Sequence, residues 1–497
     1  GSRAQVFHSR APKKRAQSRC PIPMLRRMMS IGSSGGGAKS SGSGSGGGAK
    51  EDKEYVAAVE KAKKVKLPKD STWHVDGHGR KINCGYELDP LFEYTTLVDI
   101  RWLVKLAKGE VRCKDETGKS LKKGVIPAWQ QVPPEAVVRL EDMHAAKMCW
   151  SLPIGVLSYG WASRSHPDPN GEQLQTLLPL LQAIVDKCDH DQNKTKGEFP
   201  LVFGILWDYM ALPQRGRTAG FDPNEDDRTP AEIARFRKGL SHINRWYGHP
   251  FVYTLVLNTP MPASAENQHP YDRRGWCVFE RRVSGLIKKS NCFLEVAKLS
   301  GRRKDWASIV QECRTQRPTP MTPDVFENML MDGVQCENDK TGSGIKFTSG
   351  KDLTEVVIPQ YREAFMRLFS TAPVLQYEAL NWHDDDIKAA MDTFMYFEAQ
   401  GGRMTAQEMV WTGNKIGDTG LEAMAKWLAN TNHKNLTWFF ISTHGLTSKG
   451  AAAFAKAVQD TKAPIFELRV HMSETCQGKD TILAATKAKK ITHHKIG

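Results

Sequence analysis

The sequence predicts an α/β protein: an open parallel sheet flanked by helices in the middle of the chain, then a smaller strand–helix repeat towards its C-terminal end. Three observations carry this. Short apolar runs alternate with helical patterns between Leu152 and Leu299. A stretch from Asn414 to Val458 repeats itself at a 30-residue period. Of 497 residues 40% are apolar and 25% charged, enough to build cores in several domains. No apolar run approaches the roughly 20 residues that a membrane-spanning helix needs, so no membrane partner is expected.

Residues 1–50 read as a disordered, basic, Gly/Ser-rich leader. They hold ten Lys/Arg and no Asp or Glu, and Ser30 to Gly48 is almost wholly Gly and Ser. That composition is found in organelle transit peptides and equally in a non-native leader or cloning remnant. The leader accounts for most of the net charge of +15, because the other residues carry 60 basic against 55 acidic groups. A nucleic-acid face is therefore not indicated. Ten cysteines are scattered without a C-x-x-C pair. This argues against a metal site of zinc type or a disulfide scaffold, and fits a reducing compartment.

Residues 51–150 are expected as an N-terminal helical extension. Tyr55, Val56, Val59, Ala62 and Val65 have near-helical spacing before Pro68 ends the run. Leu97 to Lys108 puts Ile100, Leu103, Val104 and Leu106 on one side, with Gly109 as its stop. The α/β domain follows over 151–300. Leu152–Tyr159 is a buried-type strand, Glu172–Cys188 an apolar helix, and Phe199–Trp207 a second buried strand running into Asp208. A long polar loop then reaches Thr229-Pro230-Ala231-Glu232, a capping box that opens a helix with Ile233, Phe236, Leu240 and Ile243 on its apolar face. Phe251–Leu257, Trp276–Lys288 and Cys292–Val296 continue as strand, helix and strand. Residues 301–375 read as a loop-rich connector with a helix near Glu363–Phe369.

Over 376–497 the repeat pairs Ile416 with Leu446, Gly420 with Gly450, Met424 with Phe454 and Leu428 with Val458. Leu436, Trp438 and Phe440 align with Phe466, Leu468 and Val470 at the same period. A short strand, a loop, a Gly and an amphipathic helix per unit is the leucine-rich-repeat design, slightly long here. With Asn414, Ile416, Asp418 and Gly420 in place, the segment resembles the ribonuclease-inhibitor class, whose units commonly read N-x-I-x-D-x-G before the helix. A degenerate unit around Leu380–Phe394 brings the visible units to about three. Such a short αβ solenoid displays a binding surface, so protein partners are expected there.

Chemistry in an open parallel sheet belongs at the carboxyl ends of its strands. The first strand runs into Ser158-Tyr159-Gly160-Trp161, the second into Asp208-Tyr209, and the third, through a loop, into Arg273-Arg274-Gly275-Trp276-Cys277-Val278-Phe279-Glu280. Trp276, Glu280, Val283 and Ile287 share one helical face, which sets a carboxyl group on an apolar stripe. Such a group must be paired, protonated or used. Arg273, Arg274, Arg281 and Arg282 are the candidates for a purely structural ion pair. His166 and Asp168 in S-H-P-D-P read as a turn rather than a metal site, and Cys277 as a buried helix cysteine. No Walker-type or dinucleotide Gly-rich loop follows an expected strand.

A helix opening W-C-x-x-E (Trp276, Cys277, Glu280), after an α/β stretch whose first strand ends Leu157-Ser158-Tyr159, resembles the TIR (Toll/interleukin receptor) domain, especially its plant-type form. The segments SYGWASRSHPDPNG, WDYMALPQ and YDRRGWCVFE are also similar to a protist group related to TIR and to heterokaryon-incompatibility domains. The resemblance covers roughly residues 150–300 and implies a flavodoxin-like topology. It also implies that Glu280 is the residue needed to cleave NAD at the nicotinamide–ribose bond. NAD would then be a substrate, with no cofactor. Ser158, Trp161, Asp208, Tyr209, Arg274 and Trp276 are the candidate substrate-binding residues, the aromatics by stacking and the arginine on the diphosphate. The sequence departs from the plant-type pattern after Trp161 and at Arg281. The expected protein is thus an intracellular signalling or defence protein, an NAD nucleosidase or else a non-catalytic TIR-like adaptor that binds proteins. Self-association through the TIR-like domain is implied by the same resemblance. The location is cytoplasmic, or organellar should the leader act as a transit peptide.

Overall fold

The computed structural model describes residues 53–67, 71, 73, 85–115, 117–146, 152–194, 201–215, 226–333, 344–347 and 350–497, together with the backbone of 47–52 and 334–335. The expectations for residues 1–46 of the leader, for Pro68, for Phe199 and for the middle of the loop before Thr229 lie outside the described residues, and the last four residues of the leader are helical, the start of an α-helix over Gly47–Ala62. The chain divides into two units, 1–52 and 53–497, and both sheets belong to the second.

The elements run in chain order as α1 (Gly47–Ala62), β1 (Val98–Asp99), α2 (Ile100–Lys108), α3 (Leu140–Ala145), β2 (Ile154–Tyr159), α4 (Glu172–Lys194), β3 (Gly204–Leu206), α5 (Asp208–Ala211), α6 (Pro230–Ser241), α7 (Ile243–Gly248), β4 (Tyr253–Leu257), α8 (Gly275–Gly285) and β5 (Phe293–Glu295). Then come α9 (Trp306–Cys313), α10 (Pro323–Gln335), α11 (Gly350–Asp352), α12 (Ile358–Thr371), β6 (Val374–Gln376), α13 (Asp384–Ala399), β7 (Glu408–Ile416), α14 (Asp418–Asn430), β8 (Trp438–Thr443), α15 (Ser448–Asp460), β9 (Glu467–Met472), α16 (Lys479–Ala488) and β10 (His493–Ile496). They build two five-stranded sheets, ordered β1-β3-β2-β4-β5 and β10-β9-β8-β7-β6.

In the first sheet β3, β2, β4 and β5 are parallel. The alternation of β2 sends Ile154, Val156 and Ser158 to one face and Leu157 and Tyr159 to the other, as a period of two requires. The first face packs on α7, α8 and α12, and the second on α2, α4 and α9. Helices on both faces explain why every position of β2 is buried.

The N-terminal segment does more than pack on the domain. Val98 and Asp99 pair antiparallel with Ile205 and Gly204, so it contributes an edge strand. Asp99 then accepts hydrogen bonds from the amides of Arg101 (2.6 Å) and Trp102 (3.2 Å), starting α2, and Gly109 ends it at φ +76°. In α1 the buried residues are Tyr55 and Ala62, while Val56 is 58% exposed and, beyond the helix, Val65 is 44% exposed. The expected five-residue apolar face is narrower than its spacing implied. The capping box forms as expected: the Glu232 amide donates to Thr229 Oγ1 at 3.2 Å and the Thr229 amide to Glu232 Oε2 at 2.7 Å. His242 then breaks the pattern, and Ile243 begins the separate helix α7.

The connector is mostly helical: the helix expected near Glu363–Phe369 is α12, while α9 and α10 stand where loops were expected. The second sheet is wholly parallel, and each strand is followed by a helix until β10, the last. One face carries α13 to α16, each beside the next. The strand alignment is corrected by one residue. Phe439 and Ile441, not Trp438 and Phe440, pair with Leu468 and Val470 and are buried with them. Seven residues separate α14 from β8, but six separate α15 from β9. The helices therefore repeat at 30 residues and these strands at 29, and a one-residue slip exchanges the two faces of a strand. The repeated glycines have a packing reason. A Cβ on Gly420 would lie 2.6 Å from Asp384 Oδ1, and one on Gly450 would lie 2.3 Å from Asp418 Oδ1.

Candidate functional site

Glu280 sits in the middle of α8, which crosses the face of β2 and β4 where Ser158 and Thr254 point. Ser158, fully buried, donates to Glu280 Oε2 at 2.6 Å and lies 2.6 Å from the Tyr271 hydroxyl. Because the single Ser158 proton goes to the carboxyl group, the Tyr271 proton must point to Ser158 Oγ or to the Cys277 carbonyl, 3.4 Å away. Tyr247, from α7, donates to the Leu157 carbonyl (2.8 Å), and its hydroxyl is among the groups near Glu280. Glu280 keeps part of its surface accessible, whereas Ser158, Tyr247 and Tyr271 beneath it are buried.

Burial pushes the Glu280 carboxyl up to about 8, and the nearby charge of Asp208 adds to the rise against the hydrogen bond of Ser158. Three of the four arginines considered as structural partners are engaged elsewhere. Arg281 pairs with Glu295 at 2.6 Å. Arg274 donates to the carbonyls of His269, Trp161 and Asn267 at 2.7–2.9 Å. Arg282 reaches Met329 Sδ at 3.9 Å. Among the described residues none of the contacts acting on Glu280 comes from an Arg or Lys.

Asp208 stands at the end of β3, at the start of α5. Its Oδ1 accepts from the Tyr159 hydroxyl and from the Tyr209 amide (2.7 Å), and its Oδ2 from the Trp161 indole (3.2 Å). Burial still raises its carboxyl above the usual range, against those donors. Tyr209 is buried and packs edge-on to Trp161, with ring centres 5.6 Å apart. Ser158, Trp161, Asp208 and Tyr209 thus gather with Glu280 at the carboxyl ends of β2 and β3.

Two of the expected residues serve otherwise. Arg274 ties the loop after β2 to the loop before α8, and its guanidinium lies so close over Gly160 that a Cβ there would meet Arg274 Nε at 2.7 Å. Trp276 donates to Asp352 Oδ2 at 2.9 Å, so its indole is held by α11. Tyr247 and Tyr271 are the residues of this cluster that the sequence reading did not name. Tyr271 opens the YDRRGWCVFE segment, and that position was the available signal; Tyr247 gave none.

Asp168 caps α4, accepting from the amides of Gln173 (3.1 Å) and Leu174 (2.9 Å), and His166 Nδ1 accepts from the Asp168 amide (2.9 Å). These are the turn expected of S-H-P-D-P. Cys277 is buried, with its thiol donating to the Tyr159 carbonyl at 3.1 Å, and burial raises its pKa. Among the described residues no group of three or more His, Cys, Asp or Glu could hold a metal ion, and no helix is long and apolar enough to cross a membrane. Two surface depressions lie away from Glu280. One of about 590 Å³ is on α9, lined by Arg303, Ser308 and Glu312. The other, about 640 Å³, lies at the N-terminal ends of α13 and α14, lined by His383, Asp385, Lys415 and His444. Neither family models nor curated proteins match this chain.

Proposed function

We propose that residues 151–300 form a TIR/heterokaryon-incompatibility-like domain of flavodoxin-like topology that cleaves the nicotinamide–ribose bond of NAD. The observation that carries this reading is the setting of Glu280. It is a carboxyl group at the strand ends, bonded to Ser158 and beside a second carboxyl group, with Arg274 and Arg281 committed elsewhere. Cleavage next to a cationic nicotinamide passes through an oxocarbenium-like state, whose positive charge an ionised Glu280 stabilises. Asp208, held by three donors, faces the same space and suits the ribose hydroxyls. Trp161 and Tyr209 offer rings for stacking. Within this reading, residues 376–497 are a short leucine-rich-repeat segment that binds a protein partner and governs the domain. The location stays cytoplasmic, or organellar if the leader directs it.

The test is nicotinamide release from NAD by the full chain and by Glu280→Ala. Release by the parent at least ~100-fold above the variant supports the reading, in the range that loss of a transition-state charge partner produces. Equal release, or none at high protein concentration, removes it. A second reading, a non-catalytic TIR-like adaptor, draws on the two depressions, both of which lie away from Glu280. A partner bound equally by parent and Glu280→Ala, with no NAD turnover, is its expected outcome.

A further inference from the structure

The helix that carries Glu280 is held at its C-terminal end by residues of the second sheet and the segment before it. Arg317 donates from Nε to the Gly285 carbonyl, the last residue of α8, and from an Nη to the Gln376 carbonyl of β6, both at 3.0 Å. Tyr377, the residue after β6, donates its hydroxyl to the Leu286 carbonyl at 2.8 Å. Trp382 closes the junction by donating to the Arg317 carbonyl at 2.9 Å, and it stacks on Tyr377 with ring centres 5.3 Å apart. These contacts satisfy carbonyls that a helix end otherwise leaves open.

Arg317 is an expensive way to make such a joint. It is fully buried, and its other Nη has no hydrogen-bond partner among the described residues. Its charge is offset by the Tyr377 ring, 5.3 Å away, and by the negative end of α8. A buried cation with an unmet donor is less favourable than a methionine of similar length would be. What the arrangement provides is a rigid connection. Gly285 lies five residues beyond Glu280, about 7.5 Å along the helix axis. At its other end α8 is gripped by the connector, where the Gly275 amide donates to the Lys346 carbonyl at 2.7 Å.

We propose that Arg317 and Tyr377 are positioning residues for Glu280, fixing the setting of α8 against Ser158 through the joint with β6. The proposal rests on the reading of Glu280 as the working carboxyl group. A shift of α8 changes the contact of Glu280 with Ser158 on β2, with Tyr271 and Tyr247, and with Asp208 at the end of β3. The ionisation of Glu280 therefore reports its position.

The experiment uses the full chain as parent, Tyr377→Phe, Arg317→Met and Arg317→Lys. Tyr396→Phe is the control, losing a hydroxyl bonded to Asp324 away from the junction. The Glu280 carboxyl band is followed by infrared titration, identified by its loss in Glu280→Gln, and nicotinamide release is measured alongside. The expected result is a midpoint moved by at least half a pH unit in Tyr377→Phe and Arg317→Met, partly restored in Arg317→Lys, and unmoved in Tyr396→Phe. Tyr377→Phe keeps the ring in its stack, so it tests the hydroxyl even if Arg317→Met fails to fold. An unmoved midpoint in folded Tyr377→Phe overturns the proposal. A moved midpoint without NAD cleavage upholds the positioning and removes the enzymatic reading; cleavage with an unmoved midpoint does the reverse.

Discussion

At neutral pH the Glu280 side chain is mostly a carboxylic acid, because burial lifts it to about 8. Charge stabilisation of an oxocarbenium-like state needs the ionised form. The kcat/KM of the proposed reaction should therefore rise between about pH 7 and 9 with an inflection near 8, a value that belongs to the free enzyme. A flat profile over that range removes the assignment of Glu280. The same rise has a consequence for stability. A carboxyl group raised on folding contributes stability that is complete below its ordinary value of 4.5 and is lost as pH climbs through about 8. Urea unfolding at about pH 5 and about pH 9 should show the parent losing a few kcal/mol relative to Glu280→Gln. Lys288 acts in the opposite sense. It is fully buried, donates to the His249 and Val252 carbonyls, and burial lowers it to about 7. Its contribution is complete above 10.5 and is lost as pH falls through about 7, so Lys288→Met should abolish that part of the pH dependence in the same titration.

At the scale of elements, the second sheet is stitched unit to unit. Asp384 at the start of α13 accepts from the Gly417 amide (2.6 Å) and the Thr419 hydroxyl (2.7 Å). Asp418 at the start of α14 accepts from the Thr447 amide (2.8 Å) and its hydroxyl (2.5 Å). Asn414 bonds the loop before α13 through three contacts, accepting from the amides of Leu380 and Trp382 and donating to the carbonyl of Tyr377, and it also donates to the Trp411 carbonyl in its own strand. Each aspartate occupies the space a side chain would need at the repeated glycine of the next unit. Gly420→Ala and Gly450→Ala should each cost about 1–3 kcal/mol, because a bonded carboxylate has to be displaced. Chemical denaturation measures this, and a loss under about half a kcal/mol would contradict the packing. Thr229→Ala, which removes one arm of an exposed capping box, should cost only about 1 kcal/mol.

For the molecule from residue 53 onward, the core has a particular continuity. One apolar cluster runs from Ile154 and Val156 beneath the first sheet, through Phe279, Tyr361 and Phe369, to Trp411 and Leu468 beneath the second. A separate cluster fills the other face of the first sheet. A core shared between sheets should unfold in one step. Tryptophan fluorescence and far-ultraviolet dichroism should therefore give coincident urea transitions, and two separated transitions would show that the sheets are independent. The shared core also accounts for what the pattern misjudged in residues 301–375. Their apolar residues, such as Phe326, Leu330 and Leu353, have no sheet of their own to mark a period, yet they are buried between neighbours far away in the chain.

Periodicity is a local property, and so the alternation of β2 to β5, the capping box at Thr229 and the repeat glycines were all legible in the chain. The position of Glu280 on an apolar stripe followed from the spacing of one helix, and its place at a strand end from the order of elements. Its partners did not follow, because Ser158, Tyr247 and Tyr271 come from three separate elements and a hydrogen bond between distant residues leaves no period. The same holds for the arginines. Sequence put four of them near Glu280, and only packing turned Arg274 to three carbonyls and Arg281 to Glu295. Which strand residues face the helices in the second sheet hung on a loop one residue shorter, a difference that becomes visible only when the strands are laid side by side.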